Sequence, residues 1–307
     1  MDKLDKDFKA AKKLYDGGSN PLVQLWEITL YCLRKLSDEA TSREQGKIDN
    51  KRYYVYEAKG GISRPYFRDL FITSEDHFTR TWDLIIKNID SKKHLINFPP
   101  NGIDSVLYTS SMAFAMCYDI WKNSSRKTPG TYLEVLLGSL MGMILPDYKR
   151  TKHVPLPIKN VEEGSEDNNE ESVSTDIVFE KKMQTGEVFG LVIPVKITTR
   201  ERIVQPFAHQ RILDGVFGPA RFNSILICIS EMQLDKKNNK VNEICVPGTI
   251  RLFQKYLAQL VGIFYFDPPV RYLQDDVREV ILIGSVGELF TNHLPKLSKG
   301  QTEQVVP

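Results

Sequence analysis

Three ionisable side chains lie where apolar neighbours make a charge costly. Asp176 stands inside STDIVFEKK (174–182), Lys196 closes the apolar run LVIPVK (191–196), and Glu134 interrupts GTYLEVLLGSLMG (130–142). A carboxylate among Ile177, Val178 and Phe179 needs a partner cation or a bound metal. Mg²⁺ prefers carboxylate oxygens and keeps waters of its own. A lysine beside such an ion can orient an attacking water while the metal offsets charge on a phosphate. The competing reading of Asp176 and Lys196 is a surface salt bridge. Glu134 argues against it, because a helix apolar nearly all round offers little polar face on which a lone acid could be solvated.

A second cluster follows directly. Arg200, Glu201 and Arg202 come four, five and six residues after Lys196. Two guanidinium groups can each grip guanine O6 and N7, while a carboxylate between them accepts from cytosine N4. The alternative is ordinary ion pairing at a helix start, which contributes little.

The elements that must position these groups can be read from periodicity. Helical stripes run through PLVQLWEITLYCLRKL (21–36), TSEDHFTRTWDLIIKNI (73–89), SVLYTSSMAFAMCYDIWK (105–122) and TPGTYLEVLLGSLMGMIL (128–145), so the first half reads as mostly helical. Thr73 or Ser74 before acidic residues opens the second of these as a cap. After them the pattern changes. STDIVFEKK and VFGLVIPVKIT (188–198), joined through QTGE, read as an antiparallel hairpin. A helix from about Pro206 to Asp214, a strand in FNSILICISEM (222–232), a helix in GTIRLFQKYLAQLVG (248–262) and a strand in EVILIG (279–284) complete an α/β arrangement with a mixed sheet. We divide the chain into a helical N-terminal region (1–100), a core (101–297) with an acidic loop (159–173), and a tail (298–307). Six acidic residues and no base lie between Val161 and Glu171, the signature of a solvated loop.

Composition bounds the reading. The chain has 307 residues, 41% hydrophobic and 26% charged, with a formal charge of +2. That net charge makes no general case for nucleic acid; only a local concentration of cations would. DYKRTKH (147–153) and SSRK (124–127) are such concentrations, suited to phosphates or simply to solvent. Cys32, Cys117, Cys228 and Cys245 are scattered without metal-ligand spacing and are expected to be reduced thiols. The charged opening MDKLDKDFKAAKK has no apolar signal-peptide core, and no apolar run reaches a membrane span, so a cytoplasmic protein without membrane contact is expected. Trp26, Trp82 and Trp121 fall on apolar stripes and are expected in the core rather than as stacking platforms for a flipped base. His77, His94, His153 and His293 form no catalytic spacing.

The strings GTYLEV (130–135), TDIVF (175–179), VKITTRERIVQ (195–205) and HQ (209–210) together resemble the PD-(D/E)XK nuclease superfamily. Within it they are most similar to type II restriction endonucleases that read CCGG or interrupted CC/GG sites. The resemblance implies a restriction-endonuclease-like α/β core, a mixed central sheet flanked by helices, with a helical N-terminal elaboration. It implies Mg²⁺ dependence, with Asp176 and Glu134 as metal-binding acids, Lys196 as the catalytic lysine, and Arg200, Glu201 and Arg202 as the recognition triplet. The spacing of the triplet looks most like the branch cutting CCNGG or CCWGG. Thr175 stands where the family has its proline, and Pro194 where it has an acid. The family moves that acid to the next helix, where this chain has His209 and Gln210. Gln210 would then join the catalytic set through its carbonyl, without charge, and His209 and Gln205 would support the site or contact DNA. The partners implied are double-stranded DNA, a second copy in a homodimer that can pair into a tetramer, and a cognate DNA methyltransferase in the same prokaryotic system. Two other readings stay open: a structure-selective repair or recombination nuclease, and a catalytically weak, sequence-specific DNA-binding protein.

Overall fold

The structure is a computed structural model describing residues 1–297 except 60, 91–94, 96–97, 123–124, 126, 158–170 and 184–185; for Arg200 and Glu201 only the backbone is described. Most of the acidic loop, the tail, His94 and parts of SSRK and QTGE therefore lie outside the described residues. Helices α1 (Asp2–Asp16) and α2 (Leu22–Glu39) lead into strands β1 (Thr41–Ile48), β2 (Lys51–Ala58), β3 (Gly61–Ile62) and β4 (Tyr66–Phe67), then α3 (Glu75–Asp90), α4 (Pro100–Trp121) and α5 (Thr128–Ile144). The second half runs β5 (Lys149–Pro155), β6 (Ser172–Lys182), β7 (Val188–Ile193), β8 (Val195–Lys196), α6 (Val204–Phe217), β9 (Phe222–Cys228), β10 (Met232–Asp235), β11 (Lys240–Glu243), α7 (Pro247–Tyr256), β12 (Gly262–Tyr265), α8 (Asp275–Arg278), β13 (Leu282–Ser285), α9 (Val286–Glu288) and α10 (Leu294–Leu297).

The central sheet has seven strands in the order β13-β12-β9-β7-β6-β5, with β8 also on β9. β5, β6 and β7 pair antiparallel, while β7, β8, β12 and β13 are joined by parallel pairings through β9 and β12. Alternation along the strands covers both faces. Ile177, Phe179, Ile225 and Ile227 enter the main core under α2, α4 and α5. Their neighbours Val178, Leu226 and Cys228 turn to the opposite face, toward residues of α6 and α7 such as Leu213, Phe207 and Ile250. This is the mixed α/β core with a helical N-terminal elaboration expected from the sequence.

Buried hydroxyls tie the helical layer together. Thr29 of α2, Ser110 of α4 and Tyr132 of α5 lie 2.7–3.1 Å apart in one closed hydrogen-bonded set. Thr29 and Tyr132 also reach the Leu25 carbonyl, at 2.8 and 3.1 Å, so every hydroxyl of the set has a partner in the core.

Several boundaries differ from the sequence reading. Residues 41–67 form a small four-stranded sheet instead of helix. Its outer strand is mostly polar, and its aromatic strand buries Tyr53, Val55 and Tyr56. It docks through Asp267, 1% exposed, whose carboxylate receives Lys51 Nζ at 2.5 Å and the Tyr53 hydroxyl at 2.9 Å. DYKRTKH contributes to β5 rather than a loop, because pairing with β6 overrides its weak local preference. The helix expected over 248–262 stops at Tyr256, and Gly262–Tyr265 is a buried strand. The helix expected to end near Gly215 runs on to Phe217, where Gly218 takes φ 87°. Trp82 is buried, and Trp26 and Trp121 pack partly buried on the main core. None of the four cysteines is in a disulfide. Among the described residues no helix is long and apolar enough to cross a membrane.

One buried acid yields a stability prediction. Asp104 of α4 accepts from the Gly287 amide at 2.7 Å, and burial pushes its carboxyl up to about 7 from 3.8. The folded state thus binds this proton more tightly than the unfolded chain, so the group's contribution is fullest below about pH 4 and is lost as pH rises toward 7. Asp104→Asn keeps the acceptor and removes the charge. Urea titrations of the two proteins should diverge between pH 4 and 8, the variant gaining by at most about 4 kcal/mol. Parallel curves would show that Asp104 titrates normally.

Candidate active site

The end of the β6–β7 ladder creates the site. The pairing stops at Ile177 and Ile193, and Pro194, which has no N–H, separates β7 from β8. Beyond it the chain stays paired with β9 only, with Ile227 N donating to Pro194 O at 3.0 Å. Val195 N is therefore released from β6. Asp176, one residue past the ladder, takes it up: its Oδ2 accepts from Val195 N at 2.8 Å and from Lys196 Nζ at 2.9 Å. Both side chains are partly buried, the lysine more than the acid. Both contacts fall on the same oxygen.

The other edge of β6 matters as much. Thr151 pairs with Val178, but the next pair is His153 with Ser174, so one residue of β5 faces three of β6. This irregularity falls on Asp176 and its neighbours, opposite Lys152. Bulges re-aim side chains, and they gather beside active sites.

Lys152 then reaches Glu134. Its Nζ lies 2.6 Å from Glu134 Oε1, and 3.7 Å from Asp16 at the end of α1. The contact with Glu134 is an ion pair without hydrogen-bond alignment: the buried Oε1 has charge compensation but no aligned donor. Burial lifts the Glu134 carboxyl above the usual carboxylate range; Lys152 opposes this, and the negative charge of Asp176 adds to it. Glu134 and Asp176 are thus near enough to repel.

The sequence reading did not assign α1 to this site. Tyr15 lies over α5 at Gly138, one turn beyond Glu134, where any side chain would collide with its ring. Arg150 stacks on that ring at 3.5 Å from its centre and donates to the Tyr15 carbonyl. Burial raises the Tyr15 hydroxyl well above its ordinary value, with Glu134 and Asp176 contributing in the same direction. The only sequence signal for this wall was the cation-rich run containing Arg150 and Lys152.

The remaining candidates separate. His209 is half-buried on α6; burial lowers its pKa, Lys196 lowers it further, and Asp176 opposes. It therefore lies within electrostatic reach of both. Gln210, 3% exposed, is spent elsewhere: Nε2 donates to Asp214 at 2.7 Å and to Phe222 O at 2.8 Å, and Oε1 accepts from Ser224 N at 2.9 Å. Gln210 thereby fastens α6 to β9. Residues Arg200–Ile203 form a 3-10 turn leading into α6, with Arg202 and Gln205 exposed.

Among the described residues no group of three or more His, Cys, Asp or Glu side chains converges closely enough to hold a metal. The charge of Asp176 acts on Glu134, which carries a buried oxygen without an aligned donor. That donor set fits Mg²⁺, which is commonly held by one or two carboxylates with the rest of its shell from waters and substrate phosphates.

Comparison with known proteins gives a consistent result. The chain is similar to the crystal structure of the type IIP restriction endonuclease Kpn2I, at 37% identity and a TM-score of 0.84, covering 97% of this chain and 99% of that one. A complex of restriction endonuclease PspGI with substrate DNA matches at 11% identity and a TM-score of 0.39, covering 72% and 93%, too remote to carry an argument. No protein-family model and no curated protein sequence matches the chain.

Lys152 gives this geometry a test. Lys152→Met leaves Glu134 without its cation, and with chelator present the variant should lose about 1–3 kcal/mol of stability, between the exposed and buried limits for broken ion pairs. Mg²⁺ bound at the same carboxylate would replace the missing charge. The gap in urea midpoint between Mg²⁺ and chelator should therefore be wider for the variant than for wild type. An equal gap would separate Glu134 from metal binding.

Proposed function

Because the chain belongs to the PD-(D/E)XK restriction endonucleases, and is a site-specific double-stranded DNA endonuclease of that kind, we propose that it cuts both strands at a short two-fold symmetric site containing CC/GG, with a CCNGG-like or CCGG-like core, in a Mg²⁺-dependent reaction. The observation that carries this reading is the Asp176–Lys196 pair at the open end of the β6–β7 ladder, with Glu134 beside it and the Arg200–Arg202 triplet four residues on.

Asp176 and Glu134 would hold the metal, which when bound supplies positive charge against the scissile phosphate and acidifies a water. Lys196, anchored by its hydrogen bond to Asp176, orients the water for in-line attack. The water oxygen forms a new bond to phosphorus as the bond to the 3′-oxygen breaks, leaving 5′-phosphate and 3′-hydroxyl ends. His209 stands close enough to tune Lys196 or meet the DNA backbone. Gln210 acts through α6, by fixing the helix that follows the triplet. Arg200, Glu201 and Arg202 read neighbouring C·G pairs in the major groove, and Gln205 extends that surface. A two-fold site calls for a homodimer, one centre per strand, with pairing of dimers into a tetramer as a further step. A host carrying such a nuclease needs a cytosine methyltransferase for the same site.

Digestion of a plasmid of known sequence with Mg²⁺, followed by sequencing of the fragment ends, tests the reading directly: ends should share one CC/GG-containing motif. Lys196→Ala should slow cleavage roughly 10²- to 10⁴-fold while leaving Ca²⁺-supported DNA binding intact. Undiminished cleavage would remove Lys196 from the chemistry. Arg202→Ala should lose roughly 1–3 kcal/mol of discrimination against the wrong base at one position, seen as relaxed fragment ends. Ends with no shared motif would favour a structure-selective nuclease.

A further inference from the structure

The backbone before the recognition triplet is held from beneath by a buried acid. Glu231 lies just past β9 and is 0% exposed. Its Oε1 and Oε2 accept from the Thr199 amide at 3.1 and 3.0 Å. Oε1 also accepts from the Thr199 hydroxyl, and from the Tyr265 hydroxyl of β12 at 2.9 Å. Thr199, 1% exposed, immediately precedes the 3-10 turn, and its carbonyl accepts from Arg202 N at 3.0 Å. A continuous run of hydrogen bonds thus leads from the sheet, through Glu231 and Thr199, into the turn.

The segment carrying Glu231 is itself tied to the catalytic strand. Ile229 N donates to Lys196 O at 3.1 Å and Ser230 N to Ile197 O at 3.2 Å. Lys196 and Thr199 are therefore both supported by the few residues after β9. Glu231, Lys196 and Arg202 all exert charge on the buried Cys228 thiol, whose pKa burial raises.

A carboxylate in a fully buried position is costly unless its oxygens are satisfied. If shape alone were required, an apolar residue would fill the space without that cost. What a multiply bonded carboxylate adds is stiffness, since charge-assisted hydrogen bonds are short and directional. Base reading needs that stiffness: a bidentate contact tolerates only about 0.5 Å and 10–20° of error in its support. We propose that Glu231 is a positioning residue for sequence discrimination, fixing the turn that carries Arg200, Glu201 and Arg202 through its hydrogen bonds to Thr199. This rests on the reading of the triplet as the base reader.

The test compares wild type with Glu231→Gln, Thr199→Val, Thr199→Ser and Arg202→Ala. Each is given Mg²⁺ and a plasmid of known sequence, below its unfolding temperature. The readout is the ratio of cleavage at the preferred site to cleavage at sites differing by one base pair. Glu231→Gln and Thr199→Val should each lower the ratio by about 10-fold or more, comparable to losing one base contact. Their combination should do little more than the stronger single change, and Thr199→Ser, which keeps the hydroxyl donor, should stay near wild type. A merely structural role would reduce activity at all sites together, and an unchanged ratio in the variants would overturn the assignment. If Glu231→Gln does not fold, Thr199→Val decides the matter alone. Arg202→Ala separates the two layers of the argument. If it changes the ratio while Thr199→Val does not, Glu231 is not the positioning residue; if it also leaves the ratio unchanged, the triplet is not the reader.

Discussion

One carboxylate oxygen organises the working end of this molecule. Asp176 Oδ2 accepts from a backbone amide that the sheet has released and from the lysine one residue further on. Without it, Val195 N–H and the Lys196 ammonium would both lack a partner at a partly buried strand end, where unmet polar groups are costly. The β6 ladder ends at Ile193, and beyond Pro194 the chain pairs with β9 alone. The proposed chemistry, with Lys196 directing a water, starts from this fixed pair.

The pair is held within two layers of support. Toward the helices, Lys152 of β5 bridges Asp16 at the end of α1 to Glu134, and Arg150 stacks on the ring of Tyr15. Toward the other end of the sheet, the chain after β9 grips residues 196, 197 and 199 in succession. The amino-terminal helix thus reaches Glu134 through β5, while the chain after β9 holds the segment from Lys196 to Thr199. Lys196 and the turn that begins at Arg200 are four residues apart in the chain and share these supports.

Much of this was legible in the sequence where the cause is local. The stripes of α2, α3, α4 and α5 show because a helix buries one face at a fixed period, and β6, β7 and β9 show because apolar runs ended at turns. Asp176, Lys196 and Glu134 stood out as charges in apolar company, and the structure brings Asp176 onto Lys196 and within repelling reach of Glu134. What escaped depends on distant partners. KRTKHVP (149–155) has no strand signal of its own and becomes β5 by lying along β6. Gly262–Tyr265 was absorbed into a helical pattern because a four-residue apolar run has no period to read. Charged residues hid the sheet at 41–67, although YYVY in its second strand was a usable hint. His209 and Gln210 could be placed on a helix, but which of them turned toward Lys196 depended on the packing of α6 against β9. Glu231 carried no signal at all, since its partners lie 32 and 34 residues away in the chain.

The register change between β5 and β6 limits how this protein can diverge. Side chains on a strand alternate faces, so a one-residue shift of β6 against β7 would carry Asp176 to the far side of the sheet and away from Lys196. The same stretch would tolerate substitutions that keep its length. Relatives that share this chemistry should therefore vary in composition along β6 far more freely than in spacing, with gains and losses of residues displaced into the connection between β5 and β6.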